Sequence, residues 1–127
     1  MAMTAHVVYE AIDPKRPATT SPRVVNEVIR GEIGFEGLLI SDDLSMKALE
    51  GPLATRAKAA QFAGCDIVLH CNGGMDEMRD VAKEAKPLEG LALKRANAAL
   101  AHLVAPQDFD VQAGEARLAS LLGTKAA

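Results

Sequence analysis

The segment Gly37-Leu38-Leu39-Ile40-Ser41, a continuous apolar run that stops on the paired carboxylates Asp42 and Asp43, restricts the fold of this chain more than any other feature. A run with no polar alternation cannot form a strand with one wet face. It fits a strand covered on both sides, the usual condition in parallel sheets. A second such run, Asp66-Ile67-Val68-Leu69-His70, lies downstream, and Met3 to Tyr9, including His6-Val7-Val8-Tyr9, reads as a strand before both. Helical segments separate them. Ser21 suits an N-cap with Pro22 at the first helical position, and Val24, Val25, Val28 and Ile29 recur at helical spacing until Gly34. Pro52 opens an Ala-rich helix through Ala54 to Ala63, and Gly64 closes it as a left-handed C′ residue. After the turn Asn72-Gly73-Gly74, Met75 to Ala85 and Glu89 to Leu103 read as helices separated by Pro87 and Gly90. Ala113 to Leu122 reads as a short amphipathic helix before Gly123 and a frayed end.

The order is therefore β-α-β-α-β-α-α. A helix between each pair of strands rules out hairpins and demands parallel pairing with right-handed crossovers. The expected class is α/β, three parallel strands alternating with helices, with extra C-terminal helices. A chain of 127 residues, 49% hydrophobic and 24% charged, holds one core and one domain. Parallel strands buried on both faces need helices on both sides or closure into a barrel, and a (β/α)8 (TIM) barrel takes about 250 residues, so residues 1–127 read as part of one.

The net charge of −3 and the scattered basic residues exclude the positive stripe of a nucleic-acid binder. No apolar run reaches the roughly 20 residues needed to span a bilayer, and the N-terminus lacks the basic start and long apolar stretch of a signal peptide. No membrane association and a cytoplasmic location are the expectation. Cys65 and Cys71 flank a strand, which holds them about 20 Å apart, beyond the reach of a disulfide. A metal on His70 and Cys71 would lack the remaining ligands, so neither a metal nor a cofactor is expected.

In a parallel α/β fold the reacting groups collect at the carboxyl ends of the strands. Three places qualify: Tyr9 to Asp13, Asp42-Asp43, and His70-Cys71-Asn72. A carboxylate directly after Leu-Leu-Ile suits a pocket floor, where it can attack a carbon centre or hold a metal; it equally suits a cap on the following turn. Strict alternation would put Leu38, Ile40 and Asp42 on one face and Leu39, Ser41 and Asp43 on the other, so only one Asp could enter a barrel mouth.

The stretch Glu32-Ile33-Gly34-Phe35-Glu36-Gly37-Leu38-Leu39-Ile40-Ser41-Asp42-Asp43-Leu44-Ser45-Met46 closely resembles the nucleophile segment of the bacterial β-N-acetylglucosaminidases (β-hexosaminidases) of glycoside hydrolase family 3. Ala5-His6-Val7-Val8-Tyr9 with Asp13-Pro14, and Ala63-Gly64-Cys65-Asp66-Ile67-Val68-Leu69 with Cys71-Asn72, resemble the strands on either side, so the likeness spans residues 3 to 72. It implies the C-terminal part, roughly the second half, of a catalytic barrel. It also implies release of terminal N-acetyl-β-glucosamine from peptidoglycan-derived muropeptides in a cytoplasmic recycling pathway. The resemblance makes Asp42 the nucleophile of a retaining double displacement through a glycosyl-aspartate, with hydrogen-bond donors around it that keep it ionised. Asp43 becomes a supporting residue, and Met46, Leu44 and His6 become candidate substrate contacts.

The family's acid/base, a histidine on a mobile loop, and its sugar-gripping basic residues lie upstream of the nucleophile and have no counterpart here; Glu10 also stands where many relatives have Pro. A nucleophile without an acid forfeits much of the ~10²–10⁴-fold that proton transfer supplies, so the chain alone is expected to be inactive. Two other readings remain: a non-catalytic fragment that self-associates or pairs with a missing N-terminal half-barrel, and a receiver-like phosphoacceptor domain. The latter needs a Lys at a further strand end, and the third strand ends in His70-Cys71-Asn72 instead.

Overall fold

The structure, a computed structural model, describes residues 1–123, so the expected frayed end past Gly123 lies outside it. Three parallel strands form one sheet in the order β1 (Ala2–Met3), β2 (Leu39–Asp43), β3 (Ile67–Leu69). Between β1 and β2 run a 3-10 turn (Ala18–Thr20) and a π-helix (Val24–Glu32), and α1 (Leu53–Ala63) joins β2 to β3. The chain continues through α2 (Met75–Glu84), α3 (Gly90–Leu100) and α4 (Val111–Leu122). The expected alternation and parallel pairing hold.

The β-strand expected over Met3 to Tyr9 does not form as such. Pairing with β2 ends once the Thr4 amide donates to the Ile40 carbonyl, and Val7, Val8 and Tyr9 are exposed. High strand propensity decides little where no neighbouring strand edge is offered. The Tyr9 carbonyl instead accepts from the amides of Ile12 and Asp13, closing a turn.

Ser21 caps the π-helix as the sequence suggests: its Oγ accepts from the Val24 amide at 3.2 Å and donates to Asp13 Oδ2 at 2.7 Å. The wide winding was not foreseen, because the pairs Val24-Val25 and Val28-Ile29 suit an i→i+4 or an i→i+5 pitch equally; the Ile33 amide reaches the Val28 carbonyl.

Side chains from the helices and β2 merge into one core: Val25, Leu39, Leu44, Leu49, Ala57, Ala60, Ala63, Cys65 and Val81. Three alanines of α1 at i, i+3, i+6 let this helix lie close against the sheet. The other face of the sheet is less covered than expected, with Met3 exposed and Ile40 and Ile67 only half-buried.

Gly64 ends α1 at φ 118°, and a Cβ there would stand 2.8 Å from Val25 Cγ1. Gly64→Ala is therefore expected to destabilise the fold by about 2 kcal/mol or more, through left-handed strain and a core clash together. Urea denaturation of the two proteins measures it.

A buried carboxylate ties the amino ends of the strands together. Asp66, its side chain 5% exposed, accepts from Arg30 at 2.9 Å, from Arg95 at 2.8 Å and from the Leu39 amide at 2.9 Å. Arg30 also donates to the carbonyls of Phe35 and Gly37 and lies over the Phe35 ring. One side chain thus links the π-helix, β2 and α3.

Candidate active site

Asp42 and Asp43 close β2, the central strand, at the carboxyl edge of the sheet. Ile40 pairs with Ile67 and Asp43 with Leu69, so Ser41 and Asp42 together face the single residue Val68. This extra residue is a bulge, which bends a strand and breaks the strict two-residue alternation.

The two carboxylates have different surroundings. Asp43 Oδ1 accepts from the amides of Ser45 at 2.9 Å and Cys71 at 3.1 Å, and Oδ2 from the Ser45 hydroxyl at 2.5 Å. Burial raises its pKa, but the Ser45 hydroxyl, the Ser45 and Cys71 amides and nearby His70 outweigh that and hold it below the ordinary carboxylate value. Asp43 therefore stabilises the fold fully above the unfolded pKa of about 3.9, and this contribution is lost as pH falls through the lower folded value. In Asp43→Asn, acid-unfolding midpoints should lose that component, while neutral-pH stability drops because an amide cannot accept all three bonds; circular dichroism against pH reads both.

Asp42 is half-buried, and its Oδ1 accepts from the Asp43 amide at 2.8 Å. Among the described residues no group bonds to Oδ2. One oxygen is thus fixed and the other is open.

Of the candidate contact residues, Met46 is 44% exposed and just beyond the strand end, available to line a binding surface. Leu44 is fully buried in the core cluster, so it packs the fold and has no surface to offer a sugar. His6 also departs from its expected role. Its Nε2 donates to the Asp43 carbonyl at 2.9 Å and its Nδ1 lies 2.7 Å from Thr19 Oγ1, which in turn meets Thr4 Oγ1 at 2.9 Å. With both nitrogens bonded inside the protein, His6 ties the segment after β1 to the end of β2 and leaves no nitrogen for a ligand.

Arg56 escaped the sequence reading. From α1 it donates to the carbonyls of Leu44, Met46 and Gly51, bracing the loop that carries Met46. Its only sequence signal is a cation one turn into a helix that follows a tight loop.

His70, its side chain 6% exposed, lies with Nε2 3.3 Å from Glu77 and Nδ1 4.0 Å from Asp43. Cys65 and Cys71 are free thiols. Burial pushes the Cys65 thiol up to about 11, and burial followed by the Asp43 and Asp42 charges raises that of Cys71. A cavity of about 360 Å³ between the β1 loop and the start of α1 is lined by Lys15, Arg16, Glu50 and Arg56 among others and does not include Asp42. Among the described residues no cluster of three or more His, Cys, Asp or Glu side chains suits a metal ion, and no helix is long and apolar enough to cross a membrane.

The chain is similar to known proteins over most of its length. Residues 1–105 match the glycosyl hydrolase family 3 N-terminal domain. A β-hexosaminidase of Alkalilimnicola ehrlichii is 60% identical over 72 residues, 55% of this chain and 20% of that protein. One from Bordetella pertussis is 36% identical over 118 residues, 91% of this chain and 32% of that protein. The solved β-N-acetylglucosaminidase of Thermotoga maritima superposes with a TM-score of 0.62 at 29% identity, over 79% of this chain and 24% of that one. The chain spans a third or less of the length of each of these relatives. With its three parallel strands, its intervening helices and 105 matched residues, the chain belongs to glycosyl hydrolase family 3.

Proposed function

We propose that residues 1–127 are the second half of a (β/α)8 catalytic domain of a glycoside hydrolase that releases terminal N-acetyl-β-glucosamine from peptidoglycan-derived muropeptides in the cytoplasm, with Asp42 as nucleophile. The observation that carries this reading is the state of Asp42 at the carboxyl end of the central strand, with one oxygen held by the Asp43 amide and the other unbonded among the described residues.

In the first displacement Asp42 Oδ2 forms a bond to the anomeric carbon as the bond to the leaving oxygen breaks, and an acid outside this chain protonates that oxygen. In the second, water adds to the anomeric carbon and gives its proton to that same outside group, now a base, as the aspartyl ester bond breaks and the Asp42 carboxylate is restored. Two inversions leave the β configuration. The Asp43 amide on Oδ1 stabilises the carboxylate before attack and fixes the direction of Oδ2. Met46 supplies apolar surface beside the sugar.

Two of the chain's three histidines support the expectation that it has little activity alone. His6 has both nitrogens engaged, and the His70 ring is enclosed between Asp43 and Glu77. The test compares this chain with a hybrid enzyme in which residues 3–72 replace the matching stretch of the Alkalilimnicola relative. With a chromogenic N-acetyl-β-glucosaminide, the hybrid should turn over and the isolated chain should show little or no release. Proton NMR of the first sugar formed by the hybrid should show the β anomer; the α anomer would contradict a double displacement.

A further inference from the structure

We propose that Ser41 is the positioning residue of this site: its hydroxyl holds open the bulge in β2 that aims Asp42. This rests on the reading of Asp42 as nucleophile. Ser41 is fully buried, and its Oγ accepts from the Leu69 amide of β3 at 2.9 Å. That bond falls within the register slip, where Ser41 and Asp42 face Val68 alone. Beyond it, pairing resumes as the Leu44 amide donates to the Leu69 carbonyl at 2.9 Å.

A bulge lengthens one strand against its neighbour and strands a backbone donor on the shorter side. Here a side-chain oxygen one residue before the nucleophile meets that donor. On the opposite edge of β2, the His6 ring donates to the Asp43 carbonyl at 2.9 Å. The strand end carrying Asp42 is therefore held from β3 through Ser41 and from the segment after β1 through His6. Without the Ser41 oxygen, the half-buried Leu69 amide loses its acceptor, and β2 gains by slipping toward regular pairing, which rotates Asp42 away from its aim. A misplacement of about 1 Å at a reacting group lowers turnover by about 10²-fold.

The experiment uses the hybrid enzyme with Ser41→Ala, Ser41→Cys and Ser41→Thr, each followed for kcat, KM and melting temperature. Cysteine nearly matches serine in volume but is a weak acceptor, whereas threonine keeps the oxygen. The expected result is a fall in kcat of about 30- to 100-fold in both Ala and Cys variants with KM within about twofold, and kcat near the parent value in Ser41→Thr. Equal kcat in Ser41→Cys and the parent would overturn the proposal, since packing alone would then account for Ser41. If Ser41→Ala does not fold, the Cys and Thr variants decide by the same criteria. Asp42→Ala, run alongside, separates the two claims: activity surviving it sinks the nucleophile, whereas a dead Asp42→Ala beside an unimpaired Ser41→Cys sinks only the role of Ser41.

Discussion

Asp42→Ala in the hybrid enzyme is expected to lower kcat by about 10⁴-fold with little change in KM or melting temperature. The size follows from the proposed chemistry: alanine removes the atom assigned to bond to the anomeric carbon, and water in its place has neither the charge nor the fixed position. The small effect on stability follows from surroundings. Asp42 accepts one hydrogen bond, from the adjacent Asp43 amide, and is half-buried. Asp43→Ala should behave in the opposite way. It removes the acceptor for Ser45 and Cys71, so stability and kcat should fall together. Initial rates on the chromogenic substrate, paired with thermal melts, separate the two aspartates.

Asp66→Ala is expected to cost about 3–5 kcal/mol, enough to unfold much of a marginally stable domain. Truncation leaves two guanidinium groups, 15% and 24% exposed, without their shared anion, and the Leu39 amide without its acceptor. Asp66→Asn keeps the size but weakens both charge-assisted bonds, and should fall between the two. Urea denaturation of the chain read by circular dichroism gives the order parent, Asn, Ala. A loss below about 1 kcal/mol for Ala would mean that surface water already satisfies the two arginines.

The parts of the fold that were legible in the sequence are those written in local signals. Leu38 to Ser41 and Ile67 to Leu69 have no polar alternation, and Pro52 and Gly64 bracket an Ala-rich helix; these gave β2, β3 and α1 with ends close to those observed. The first strand was overextended because Val7-Val8-Tyr9 has strand propensity but, among the described residues, no strand to pair with, a fact that depends on where β2 ends. Asp66 read as the polar start of a strand, while its two arginines lie 36 residues before and 29 residues after it, beyond any local pattern. A carboxylate leading an apolar run was nonetheless a hint, since a buried charge requires partners.

At the site, the place of Asp42 at the end of β2 was legible from the apolar run before it, while its role as nucleophile is a proposal that rests on the resemblance of the surrounding segment. The places of Leu44 and His6 were not legible, for different reasons. An apolar residue after a catalytic motif can turn toward the pocket or the core, and only tertiary packing decides which. A histidine's role depends on what its two nitrogens meet, here Thr19 and the Asp43 carbonyl, 13 and 37 residues away. Ser41 was invisible for a third reason: its hydroxyl matters only because two strands are out of register at that level.

The most direct test of the central claim is covalent. The hybrid enzyme is incubated with a fluorinated N-acetylglucosaminyl donor whose glycosyl-enzyme hydrolyses slowly, digested at low pH, and mapped by tandem mass spectrometry. A single sugar ester on Asp42 is the predicted result. An ester on Asp43, or steady turnover by Asp42→Ala with no adduct at residue 42, would contradict the account.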